Sequence, residues 1–184
     1  MDDMTDNAVE SEGVKLQSPS RVDPEFKHEV LSMPGGETLK YCFQCGTCTS
    51  CCPIADITDS YRPRTAIRLA QLGLEERLLS SDTIWLCAAC YTCTDHCPQG
   101  VEVKDVLRVF QNLAVKKGYI PMVYREVGKN ILNAGYAHKI SKFKMKKRIA
   151  IGLPPLSETP PAHMEKLAKA TGFLETITEK EDKE

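Results

Sequence analysis

The chain has 184 residues, a net charge of −1 and 27% charged residues, enough for one ordinary domain with extended ends and without the basic excess that nucleic-acid binding draws on. Its longest apolar runs, such as Ile84 to Tyr91, fall far short of the roughly 20 residues that cross a bilayer, which excludes a spanning segment. Nine cysteines behind an N-terminus, MDDMTDNAVESEG, that lacks an apolar signal core predict a cytoplasmic chain whose thiols stay reduced.

Residues 1–25 hold Asp2, Asp3, Asp6, Glu10 and Glu12 and show no hydrophobic period, so they are expected to form a flexible acidic arm. From Phe26 to Gly36 a short helix or loop leads into the first of two cysteine runs. Cys42, Cys45, Cys48 and Cys52 precede Pro53, and Cys87, Cys90, Cys93 and Cys97 precede Pro98. Each of the four recurs 45 positions on, so the whole phrase is duplicated.

The spacing C-x2-C-x2-C-x3-C-P wraps three thiolates around a 4Fe-4S cubane and sends the fourth to the other run's cluster. Applied here, it gives one cluster to Cys42, Cys45, Cys48 and Cys97 and the other to Cys87, Cys90, Cys93 and Cys52. The crossing makes the two clusters staples of the fold. Structural zinc takes two separated pairs of ligands and leaves the third cysteine and the Cys-Pro of each run unexplained. A disulfide framework belongs to secreted chains. Cys51 is the odd cysteine; the following proline and the repeat both select Cys52, and the position equivalent to Cys51 is His96. Both are read as packing groups, with ligand swapping or tuning of a cluster's potential as the alternative.

Between the runs, Pro63 suits a first helical position, and Ile67, Ala70, Leu74 and Leu78 form an apolar stripe with Gly73 as its weak point. After the second run, Val103, Val106, Leu107, Phe110, Leu113 and Ala114 fall on one helical face that ends at Lys116, Lys117 and Gly118. Residues 26–118 are thus expected to be a mainly α, alpha-helical ferredoxin domain with two 4Fe-4S clusters between helices. Residues 119–184 form a helical, partly basic extension: a helix from Met122 to about Leu132, a basic segment from His138 to Arg148, and a last helix from Pro161 to Gly172 with Met164, Leu167 and Ala168 on one face. The tail EKEDKE is expected to fray.

No Gly-rich phosphate loop is present, and His28, His96, His138 and His163 are scattered, so nothing resembles a nucleotide, flavin or substrate site. Catalytic residues are therefore none, and electrons must enter and leave through partners. Thr47, Thr49, Thr92 and Thr94 recur at equivalent positions, where they suit either donors to cluster sulfur or caps of local turns, the second being favoured. Lys116 to Arg148 carries ten basic residues against the single acid Glu126; within it Lys139, Lys142, Lys144, Lys146, Lys147 and Arg148, with Phe143 and Met145 among them, suit docking to an acidic face, a solvated polar helix face being the alternative.

The runs CFQCGTCTSCCP and CAACYTCTDHCP, the helix PRTAIRLAQLGL, the segment VKDVL and the later GLPP together resemble the C subunit of heterodisulfide reductase from methanogenic archaea, over roughly residues 36–155. The resemblance implies that the eight cysteines are the family's cluster ligands. It also implies an oxidoreductase complex in which the C subunit relays electrons from a flavin-containing A subunit to a catalytic B subunit, which reduces the CoM-S-S-CoB disulfide of methanogenesis. A hydrogenase or formate dehydrogenase is the implied source in an electron-bifurcating assembly. Iron–sulfur subunits of the fumarate reductase type add an N-terminal plant-type site, and no cysteine precedes Cys42. The relay component of another oxidoreductase, or a free ferredoxin-like carrier, is the alternative.

Overall fold

The computed structural model describes residues 21–156 and 162–178; the arm through residue 20 and the tail EKEDKE lie outside the described residues. Those described form eleven α-helices, two short 3-10 turns and no strand, as expected of an alpha-helical ferredoxin.

The centre is α7 (Val103–Lys116), whose six predicted stripe residues are all buried. Fourteen residues at 1.5 Å each give a rod of about 21 Å. It stops at Gly118 because Tyr119 N–H donates to Ala114 O at 2.8 Å and Gly118 N–H to Val115 O at 2.9 Å, which satisfies carbonyls the helix cannot. Around it pack α1 (Phe26–Ser32), α4 (Pro63–Gln71) and α5 (Glu75–Leu79), with the 3-10 turns Glu37–Tyr41 and Asp82–Leu86. They contribute Phe26, Val30, Leu39, Ile67, Leu78, Leu79 and Ile84 to one core. Each such side chain contributes about 1.5–3 kcal/mol on burial, so this core, and not helix propensity, fixes the short helices.

The stripe from Ile67 to Leu78 was expected on one helix, and the structure divides it. Gly73 takes a left-handed φ of 73°, Leu74 N–H bonds back to Leu69 O at 2.9 Å, and the freed Gly73 carbonyl accepts Asp23 N–H at 2.8 Å. The chain turns there and restarts as α5, so Leu78 and Leu79 reach α7 from a second direction.

Two one-turn helices carry the middle of the cysteine runs: α2 (Thr47–Ser50) and α6 (Thr92–Asp95) face each other, and α3 (Pro53–Ile57) follows α2. Beyond Gly118, α8 (Met122–Ala134) touches the front of the molecule where Tyr124 meets Trp85, ring centroids 4.9 Å apart. α9 (Lys142–Ala150) buries no residue. α10 (Ala162–Ala170) and α11 (Phe173–Thr178) pack on α8. Of the face expected on the last helix, Ala168 is buried but Leu167 is 56% exposed: α10 meets α8 along a narrow line, and α11, which the sequence pattern did not reveal, supplies Ile177 instead.

Candidate cluster sites

The duplication seen in the cysteines extends to the backbone. Gln44, Ala89 and Tyr91 are the non-glycine residues of positive φ among those described, and Gly46 joins them at 92°. Gln44 corresponds to Ala89 and Gly46 to Tyr91 in the repeat. Each non-glycine residue held this way costs about 1–3 kcal/mol, and all three fall inside the cysteine runs. Left-handed residues beside right-handed ones turn successive N–H groups to one side, the arrangement that receives anions. The hydrogen bonds repeat too: Thr49 N–H to Gly46 O at 2.9 Å and Thr94 N–H to Tyr91 O at 2.8 Å, then Cys52 N–H to Thr49 O and Cys97 N–H to Thr94 O, both at 3.2 Å.

None of the nine cysteines is in a disulfide. Eight of them line two small cavities. Cys42, Cys45, Cys48 and Cys97 stand around the first; Cys87, Cys90, Cys93 and Cys52 stand around the second. Each cavity therefore takes three cysteines from one run and one from the other. Among the described residues no three His, Cys, Asp or Glu side chains form a group suited to a metal ion; the thiols are spread over cavity walls. Four sulfur donors and otherwise mostly apolar walls, such as Ile67, Val101 and Val103 in the first cavity, fit the donor set of a cubane.

Cys51 lines neither cavity. Its thiol donates to Thr92 O across 3.8 Å, and His96 Nδ1 lies 3.0 Å from the same carbonyl. The two equivalent residues, one from each run, thus converge on one backbone oxygen of the second run.

Burial separates the thiols by position. Cys48 and Cys93, on the facing helices α2 and α6, are buried; Cys45 and Cys90 are exposed. Burial, then neighbouring thiols, pushes Cys48 up to about 11 and Cys93 up to about 12. The hydroxyl of Thr47 lowers Cys45, and that of Thr92 lowers Cys90. Metal loading must therefore displace protons from the two inner thiols.

The four repeated threonines fall into two pairs, and neither pair caps a local turn, the role favoured for them. Thr47 Oγ1 lies 3.3 Å from Cys45 Sγ, and Thr92 O–H donates to Cys90 Sγ at 3.4 Å. Thr49, whose hydroxyl also reaches the Cys48 thiol, and Thr94 do not cap a local turn. Their hydroxyl oxygens accept the backbone N–H of Arg64 and Lys104, each at 3.1 Å, tying each run to the first turn of α4 or α7. Sequence reasoning missed Tyr61 and Lys104, both buried against the second cavity, as well as Gln44, whose amide donates to Cys42 Sγ at 3.5 Å, and the Val101 N–H that donates to Cys97 Sγ at 3.3 Å. One signal was available: a cation, Arg64 or Lys104, sits second in the helix after each run.

A family model for the 4Fe-4S dicluster domain matches residues 38–101, which spans both runs and both cavities. Among curated proteins the chain is similar to the C subunit of the H(2):CoB-CoM heterodisulfide,ferredoxin reductase of Methanothermobacter marburgensis, 39% identical over 162 residues and covering 85% of this chain and 86% of that one. The chain belongs to the family of heterodisulfide reductase C subunits. It is similar as well to the iron-sulfur C subunit of the CoB--CoM heterodisulfide reductase of Methanopyrus kandleri (40% over 141 residues, 76% of this chain and 68% of that one). A third relative, the C2 subunit of the H(2)/formate:CoB-CoM heterodisulfide,ferredoxin reductase of Methanococcus maripaludis, is 38% identical over 175 residues, 88% of this chain and 94% of that one. As an iron–sulfur C subunit, the chain carries a 4Fe-4S domain, and its likeness to the family extends well past the two cysteine runs. Among the described residues no helix is long and apolar enough to cross a membrane.

Proposed function

We propose that Cys42, Cys45, Cys48 and Cys97 hold one 4Fe-4S cluster and Cys87, Cys90, Cys93 and Cys52 a second, and that the chain relays electrons from a flavin-containing A subunit to the catalytic B subunit that reduces the CoM-S-S-CoB heterodisulfide. The observation that carries this reading is the three-plus-one division of the cysteines between two cavities, the crossed pattern of two-cluster ferredoxins. Bound clusters would supply one-electron storage at two neighbouring points. The chain's own residues do the rest. Cys48 and Cys93, buried on facing helices, make a dry wall between the sites, while Cys45 and Cys90 at the surface mark where partners approach.

The partners follow from the relatives, whose names specify the CoB-CoM heterodisulfide together with hydrogen, formate or ferredoxin; a hydrogenase or formate dehydrogenase in a larger cytoplasmic assembly is the proposed electron source. Residues 26–118 act as the cluster-bearing domain, 1–25 as an acidic arm and 119–184 as a docking extension. Support for docking comes from α9, where Phe143 is 65% exposed among lysines and no side chain is buried. Surfaces of this kind steer and register an acidic partner more than they add affinity.

Purification of the native protein under argon tests the proposal. The expected result is about eight irons per chain together with a flavoprotein and a Cys-Cys-Gly-rich subunit. Elution as a stable monomer with no flavoprotein would identify a free carrier and overturn the relay.

A further inference from the structure

The two cavities are related by the repeat, yet their charged and hydrogen-bonding walls differ. Arg64 and Lys104 hold corresponding positions, each giving its N–H to the repeated threonine, and each lines one cavity. Arg64 is exposed. Lys104 is 4% exposed, has no carboxylate partner among the described ion pairs, and rests its ammonium 5.9 Å from the centre of the Tyr91 ring. A buried cation without a counter-ion is costly, and beside four thiols the compensating anion is the thiolate-bound cluster itself.

The apolar walls differ in the same direction. Val101 lines the first cavity, and the second has Tyr61, 2% exposed. Tyr61 is buried in one cluster with Cys52, and Cys87 packs against it, which puts a phenol, an O–H donor, at that site. In compensation the first cavity has the Gln44 amide on Cys42 and the Val101 N–H on Cys97. These are neutral donors. A buried full charge acts through a low dielectric, whereas the exposed Arg64 is screened by water and salt, so the charge decides the comparison. The Thr47 and Thr92 hydroxyls occur once at each site and cancel, and the further Thr49 hydroxyl toward Cys48 is another neutral donor.

We propose that Lys104, assisted by Tyr61, gives the Cys52/Cys87/Cys90/Cys93 site the higher reduction potential of the pair, so that an electron entering the chain resides there and leaves past Cys90. Positive charge and hydrogen bonds near cluster sulfur stabilise the reduced, more anionic state. The inference rests on the cluster assignment above and adds the order of the two sites.

Redox titration of the full-length chain, followed by electron paramagnetic resonance with iron counting on the same samples, tests it. In the wild type two midpoints are expected. Lys104→Met should lower the higher midpoint and leave the lower one in place, Lys104→Arg should restore it, and Tyr61→Phe should lower the same midpoint by a smaller shift. Retention of full iron with no shift, or with a shift of the lower midpoint, overturns the proposal. Loss of iron in both Lys104→Met and Lys104→Arg also overturns it, because the side chain's role would then be packing. A wild-type chain that binds no iron would instead remove the cluster assignment, which separates the two failures.

Discussion

Ile177 of α11 lies against the bare backbone of Gly128 on α8: a methyl group built at Gly128 would come within 2.3 Å of Ile177 Cδ1 and 2.9 Å of its Cγ1. This glycine is the seat of the C-terminal helix pair. The contact is with the movable tip of a side chain, and alanine gains about 1 kcal/mol of helix propensity over glycine. Gly128→Ala is therefore expected to stay within about 1 kcal/mol of the wild type. Gly128→Leu cannot be accommodated and should release α11, seen as faster amide exchange over residues 173–178 with iron content unchanged. Unchanged exchange would show that α11 is held elsewhere.

The crossed cysteines make a second prediction. Cys97→Ala should damage the site built mainly by Cys42, Cys45 and Cys48, and Cys52→Ala the other, whereas Cys51→Ala should retain both. Iron counts with spectroscopy on each variant distinguish the cases; loss of the same-run cluster in either variant would replace the crossed assignment, and loss of about four irons in Cys51→Ala would move the register.

The threonines separate by role. Thr49→Val and Thr94→Val each leave a helix N-terminal N–H without its side-chain acceptor, which costs about 1 kcal/mol of stability, read as a lower denaturant midpoint, and for Thr94→Val with the spectrum of the bound clusters unaltered. Thr92→Val should spare stability by comparison and change the spectrum, because its hydroxyl donates to a thiol sulfur.

Lys117 and Glu75 form an ion pair between the end of α7 and the start of α5. The Glu75 hydrogen bond raises the Lys117 value above its ordinary 10.5. A raised lysine contributes stability that is complete below the unfolded value and disappears as pH climbs through the folded one. Lys117 is 43% exposed, so water screens the pair and its worth is under about 1 kcal/mol. Lys117→Met should thus lower the melting temperature slightly at neutral pH, and the difference from wild type should vanish as pH rises through the raised value of folded Lys117. A difference that grows with alkalinity would contradict the pairing.

What the sequence disclosed was what repeats locally. The cysteine spacing carried the division of thiols, and the stripe from Val103 to Ala114 carried α7, because both are periodic along the chain. The break at Gly73 depends on Asp23, which reaches its carbonyl from far earlier in the chain. Tyr61 carries no local signature: it follows the first run yet is buried against the second run's cavity, whereas Lys104 follows the second run and lines that same run's cavity. Leu167 follows a helical period yet faces water, since α11 occupies the surface of α8 that α10 leaves open.

The three-plus-one division also sets an order of events in the cell. The first run leaves the ribosome with three of its cavity's cysteines and no means of closing the wall, and Cys97 arrives only once the second run has been translated. On the ligand assignment proposed above, iron delivery to the first cavity would be a late step in the life of this chain, and a fragment ending between the runs would lack that cavity's complete set of thiols.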